Sequence, residues 1–147
     1  ERSRGLGDVY KRQADFPSLD FDDLDFLGWR DPKLPLVGYL VVPLDDRLVG
    51  IMMRQGARQP RTRPQCSFCE DVQLPNEVTF FSAKRAGAAG RKGDTVGTLL
   101  CAGFQCCANV RVRPSAIFAG DNPEAVRQRR IDALRAHAEG FARRILG

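Results

Sequence analysis

Cys66-Ser67-Phe68-Cys69 and Cys101-Ala102-Gly103-Phe104-Gln105-Cys106-Cys107 together hold all five cysteines of this 147-residue chain. The first stretch is a CxxC knuckle, a turn that aims two thiolates at one ion while its backbone amides donate to sulfur. The second offers another close sulfur pair. Zinc takes four ligands in a tetrahedron and sits about 2.3 Å from each thiolate, so two distant pairs folded together supply what it needs. Such a set leaves no open coordination position. The metal is therefore read as structural, with its binding energy serving as folding energy.

Three other uses of these cysteines fit less well. A thioredoxin-type CxxC needs a helix directly after it, and Asp71 to Pro75 do not have helical character. Disulfides need an oxidising compartment, and the sequence shows no export signal. Buried free thiols leave the paired spacing unexplained. The choice between Cys106 and Cys107 as fourth ligand stays open on spacing alone. Neighbouring helical residues point about 100° apart, so one ion takes only one of them.

Between the two pairs, Glu77-Val-Thr-Phe-Phe-Ser-Ala83 and Thr95-Val-Gly-Thr-Leu-Leu100 read as strands. The glycine-rich, cationic segment from Ala86 to Asp94 reads as a mobile hairpin tip joining them. Knuckle, hairpin, then a helix giving the last ligands is the order of a treble clef. The helix is expected to start near Cys101 and stop before Pro114, its free amides favouring thiolate charge.

Outward from this centre, residues 38–53 predict a second antiparallel hairpin. Gly38-Tyr-Leu-Val-Val42 and Leu48-Val-Gly-Ile-Met-Met53 are its strands, and Leu44 to Arg47 its turn. Gln55 to Pro64 reads as an exposed loop. Phe16 to Trp29, apolar anchors set among aspartates, reads as an irregular or one-turn helical lead-in. At the other end Asn122 can cap a helix, Pro123 suits its first position, and Glu124 complements its dipole. Ile131, Leu134, Ala138, Phe141 and Ile145 recur at intervals of 3 and 4 and draw one apolar stripe on that helix. The fold class is thus α+β: a treble-clef zinc finger with a preceding β-hairpin and a C-terminal amphipathic helix.

Length and composition point to a single domain with its own core. The longest apolar runs, such as Tyr39 to Pro43, fall far short of the ~20 residues of a membrane helix. Residues 1–13 read as foreign, since Asp8-Val-Tyr-Lys-Arg-Gln13 is similar to a translated transposon-end adapter of DNA library preparation. Dropping them removes four basic and two acidic residues and lowers the net charge from +5 to +3. The remainder, 14–147, is divided into a hairpin part (14–60), the treble clef (61–120) and the terminal helix (121–147). Six aspartates lie between residues 15 and 31, whereas from Arg111 onward there are eight arginines against four acids. An acidic front and a basic back suit docking by charge matching, with RNA as one such partner. Four thiolates on Zn²⁺ leave a charge near −2, for which Arg61, Arg63, Lys84 and Arg85 are candidate counter-charges.

Leu24-Asp-Phe-Leu-Gly-Trp-Arg-Asp-Pro32, Tyr39-Leu-Val-Val-Pro43, the Cys66/Cys69 knuckle, Ala83-Lys-Arg-Ala-Gly-Ala-Ala-Gly-Arg91, Thr95-Val-Gly-Thr98 and Cys101…Cys106 together resemble the FBP domain. This is the C-terminal treble-clef zinc-finger domain of elongation factor G-binding, FusB-type proteins, and the likeness is to the short actinobacterial type. It covers roughly residues 15–147. The resemblance implies Zn²⁺ held by Cys66, Cys69, Cys101 and Cys106, a cytoplasmic protein, and elongation factor G as partner, with help in releasing that factor from the ribosome. Two departures stand out: the helical N-terminal domain of two-domain members has no counterpart here, and Cys107 replaces an expected small polar residue.

For the partner surface, the cations of the hairpin tip (Lys84, Arg85, Arg91 and Lys92) are the candidates, with Trp29 and Arg30 as possible additions. The alternative function is direct RNA or ribosome binding by the finger. Few aromatics look exposed enough to stack bases, which counts against it. Catalysis is not expected. The chain's one histidine, His137, belongs to the terminal helix rather than to a site beside the metal, and no membrane or small-molecule substrate is indicated.

Overall fold

The computed structural model describes residues 25–56, 61–71, 74–112, 114, 120 and 122–147. The opening stretch 1–13 and the lead-in through Leu24 lie outside the described residues, as do 57–60 of the arginine-rich loop. Five antiparallel strands form one sheet in chain order, β1 (Leu27–Arg30), β2 (Val37–Leu44), β3 (Arg47–Gln55), β4 (Val78–Lys84) and β5 (Thr95–Cys101). The expected hairpin at 38–53 is β2–β3, paired from Val37↔Arg54 to Leu44↔Arg47. Its turn uses Asp45 at φ 55°, a left-handed conformation that aspartate tolerates better than most residues. The strands expected at 77–83 and 95–100 are β4 and β5, paired from Val78↔Cys101 to Lys84↔Thr95.

Three elements differ from expectation. Leu27–Arg30, read as part of an irregular lead-in, pairs with β2 as a short edge strand. The segment 86–94, read as a mobile tip, holds a one-turn helix α1 (Gly87–Arg91) framed by Gly87 and Gly93 at positive φ. It is also tethered, because the Ala86 amide donates to the Ile145 carbonyl at 2.7 Å and the Arg85 amide to the Asp94 carbonyl at 3.0 Å. Finally, the helix expected from Cys101 begins later, as α2 (Cys106–Arg111). Cys101 instead completes the β4–β5 ladder, and Phe104 at φ 58° turns the chain before the helix starts.

The terminal helix α3 (Pro123–Leu146) starts as its sequence indicates, with the Asn122 side chain accepting from the Ala125 amide at 3.1 Å. Its stripe of Leu134, Ala138, Phe141 and Ile145 is fully buried with Leu40, Val42, Ile51, Met53, Phe81 and Leu100 in one core. Burying each such side chain is worth about 1.5–3 kcal/mol. A second, smaller apolar cluster on the opposite sheet face joins Val37, Tyr39 and Val41 to Leu27, Trp29 and Leu48. Trp29 and Tyr39 rings lie 5.3 Å apart there, and the Tyr39 hydroxyl donates to the Asp31 carboxylate. Among the described residues, no helix is long and apolar enough to cross a membrane.

Candidate metal centre

The knuckle is positioned by two attachments. The Ser67 amide donates to the Leu99 carbonyl of β5 at 2.8 Å, so the turn lies along the sheet edge. Phe68 plugs the core edge-on to both Phe26 and Phe141, at centroid distances of 5.5 and 5.8 Å. Within the turn, the Glu70 amide reaches the Cys66 carbonyl and Glu70 adopts φ 59°. The Phe68 amide donates to Cys66 Sγ at 3.4 Å, the amide-to-sulfur bond that such a turn supplies.

Cys101 at the end of β5 and Cys106 at the start of α2 complete the group. The sulfurs of Cys66, Cys69, Cys101 and Cys106 all lie within 4.8 Å of one another. Sulfurs of Cys66 and Cys106 are 3.5 Å apart, and those of Cys69 and Cys101 3.7 Å apart. A tetrahedron with 2.3 Å metal–sulfur bonds has sulfur–sulfur edges of about 3.8 Å, so the four fit Zn²⁺. Cys107 points elsewhere. Its thiol donates to the Phe26 carbonyl at 3.5 Å, and burial pushes its pKa up.

Packed together, the four thiols share protons unequally. Hydrogen bonding with Cys101, then with Cys106 and Cys69, holds Cys66 far below the usual thiol range. Hydrogen bonding with Cys101, then Cys106, brings Cys69 down to about 7. Hydrogen bonding with Cys101, then Cys66 and Cys69, drives Cys106 upward.

Two of the four expected counter-charges, Lys84 and Arg85, lie far from the sulfurs. Lys84 lies at the opposite end of β4 from Val78, the partner of Cys101, six residues or about 20 Å along the strand. Lys84 and Arg85 are therefore too remote to neutralise the sulfurs. Arg63 is committed to the Asn76 and Asp71 carbonyls at 2.6 and 2.8 Å and braces the loop beyond the knuckle. Sulfur charge meets a neutral donor instead: the Asn109 amide reaches Cys101 Sγ at 3.6 Å and Cys69 Sγ at 3.7 Å. Asn109 stands three residues after Cys106 on α2, one turn along the same face, a spacing that could have revealed it.

Two further residues differ from the sequence reading: His137, expected on the terminal helix and away from the metal, is on that helix but borders the knuckle, and Asp25 was read as an ordinary acidic residue. His137 of α3 lies with Nδ1 2.9 Å from the Phe68 carbonyl, which ties the terminal helix to the knuckle as hydrogen-bond donor. Asp25, which looked like one more member of an acidic run, is fully buried as an ion-pair clamp. Arg111 Nη1 of α2 approaches it at 2.8 Å and Arg135 Nε of α3 at 2.6 Å. Of the tip cations, Lys84, Arg91 and Lys92 are exposed and Arg85 is half-buried. Arg30 is not free for a partner, since its Nε donates to the Ala102 carbonyl and its guanidinium lies 4.9 Å over the Phe81 ring.

Residues 8–145 match the family model described as FBP C-terminal treble-clef zinc-finger. Neither a curated protein nor a solved structure matches the chain. Four clustered cysteines and this match together support structural Zn²⁺.

Proposed function

The chain belongs to the FBP C-terminal treble-clef zinc-finger family, and from that premise we propose that it is a non-enzymatic, cytoplasmic module that binds translation elongation factor G and helps it leave the ribosome. The observation that carries this reading is the family match over nearly the whole chain. Cys66, Cys69, Cys101 and Cys106 are the proposed zinc ligands, supported by sulfur spacings that suit a tetrahedron. The metal joins the knuckle to the end of β5 and the start of α2, and so holds the sheet's edge against the helices.

Lys84, Arg85, Arg91 and Lys92 are the proposed contact residues. Their support is electrostatic. Arg85 borders a cavity of about 530 Å³ that Arg143 and Arg144 of α3 also line; Asp94 pairs with Arg85 at 3.8 Å and Asp45 with Arg143 at 3.2 Å. Arginines pair well with carboxylates, so this end of the molecule suits an acidic protein surface. The tip lies some 20 Å along the sheet from the sulfurs, so zinc acts on it through the fold rather than by contact.

A pulldown of purified elongation factor G by the zinc-loaded chain tests the reading. Binding is expected at low and moderate salt, with marked weakening when Arg91 and Lys92 are changed to glutamine. Absence of binding at both salt concentrations refutes it.

A further inference from the structure

On the sheet face turned away from α3, the β3–β4–β5 part carries an aromatic ring in the open. Phe80 is 45% exposed and Met52 61% exposed. The Phe80 ring lies down across β5: a Cβ on Gly97 would stand 2.3 Å from its Cζ and 2.6 Å from its Cε1. A side chain there would displace the ring, so glycine lets the ring end rest against the β5 backbone while nearly half of the residue stays exposed. Arg54 pairs with Ser82 and so stands diagonal to Phe80 on the same face, while Lys84 follows four positions along β4. No outward position of these three strands bears a carboxylate.

We infer that this face is a stacking platform for single-stranded nucleic acid. A ring held against a sheet gives a base its π-face, and Arg54, diagonal to it, and Lys84, about 13 Å along β4, meet the flanking phosphates. Protein hot spots tend instead to be anchors seated in pockets, whereas Phe80 and Met52 are exposed. Outward positions of β3, β4 and β5 that carry no carboxylate, on a chain of formal net charge +5, do not repel an approaching polyanion. This site shares Lys84 with the tip proposed for the protein partner, but Phe80, Gly97 and Arg54 belong to it alone, and the Phe80 and Gly97 variants test it apart from that reading.

The test titrates the full zinc-loaded chain against fluorescein-labelled oligouridylate, oligothymidylate and a duplex RNA, read by anisotropy at two salt concentrations. Single strands are expected to bind better than the duplex. The two single-stranded probes report whether the 2′-hydroxyl matters, and binding of either supports the platform. Phe80→Ala should weaken binding about tenfold, and Gly97→Ala, which displaces the ring, should weaken it in the same direction. Arg54→Gln combined with Lys84→Gln should flatten the slope of log affinity against log salt by about 1.4. Zinc content and melting temperature of each variant separate loss of binding from loss of fold, and Phe80→Leu retains bulk while removing the π-face. The inference is overturned if no single strand binds, if folded Phe80→Ala and Phe80→Leu bind like the parent, or if duplex binds equally well. Loss of elongation factor G binding in Phe80→Ala, with no nucleic-acid binding by the parent, would identify a protein interface and overturn it too.

Discussion

Replacing Gly38 with alanine should weaken zinc binding although Gly38 touches no sulfur. The ring of Phe104, inside the Cys101–Cys106 loop, lies across two strands. A Cβ on Gly38 would stand 2.8 Å from Phe104 Cζ, and one on Gly28 2.7 Å from its Cγ. Ordinary contact begins near 3.4 Å, so the ring must retreat by about 0.6 Å. Retreat is obstructed, because Phe104 also stacks on Phe81 at 5.6 Å and holds φ 58° in the turn that delivers Cys106. Overpacking of this kind costs about 1–3 kcal/mol. Since metal binding and folding are coupled, that cost appears as a loss of roughly 5- to 150-fold in zinc affinity. Chelator competition measures the affinity, and a thermal melt of the zinc-loaded protein should fall by several degrees. Phe104→Leu, which has no Cζ, should restore part of the loss in a double-mutant cycle. Unchanged affinity and melting temperature in Gly38→Ala would refute the link between sheet and metal loop.

Asp25→Asn removes the charge that Arg111 and Arg135 share. Breaking a buried pair costs about 3–5 kcal/mol, reduced here to about 2–3 because both arginines reach solvent; denaturant melts measure it. Asn109→Leu leaves Cys69 and Cys101 without their amide donor. It should lower zinc affinity about tenfold and shift the sulfur-to-cobalt charge-transfer band of the Co²⁺-substituted protein, whereas a purely packing role would leave the band in place. Cys106→Ser should abolish stoichiometric zinc while Cys107→Ser retains it, as read by metal analysis of the purified variants.

Elements with a strong local signal were legible in the sequence. The β2–β3 hairpin and α3 followed from β-branched runs, a two-aspartate turn and a 3–4 spaced apolar stripe, and the structure reproduces both. The sulfur set was legible because close pairs at both ends of a hairpin have few other uses. Edge strand β1 was not, since four residues holding a glycine carry little alternation, and pairing with β2 decides them. Cys101 was assigned to the helix because a ligand looks alike at the end of a strand or the start of a helix; only its ladder partner Val78 separates the two. Asp25 and Asn109 were missed for another reason. Their partners lie as far as 110 and 40 residues away; nothing local marks a carboxylate as buried, and for Asn109 the one local cue is its spacing of three from Cys106. The exposure of Phe80 was likewise hidden, because a strand phenylalanine beside another phenylalanine reads equally well as facing the core.

Native mass spectrometry of the purified chain tests the zinc centre most directly. One zinc ion per polypeptide is the result expected from four thiolates gathered within 4.8 Å. A folded, monodisperse chain carrying no metal would contradict it.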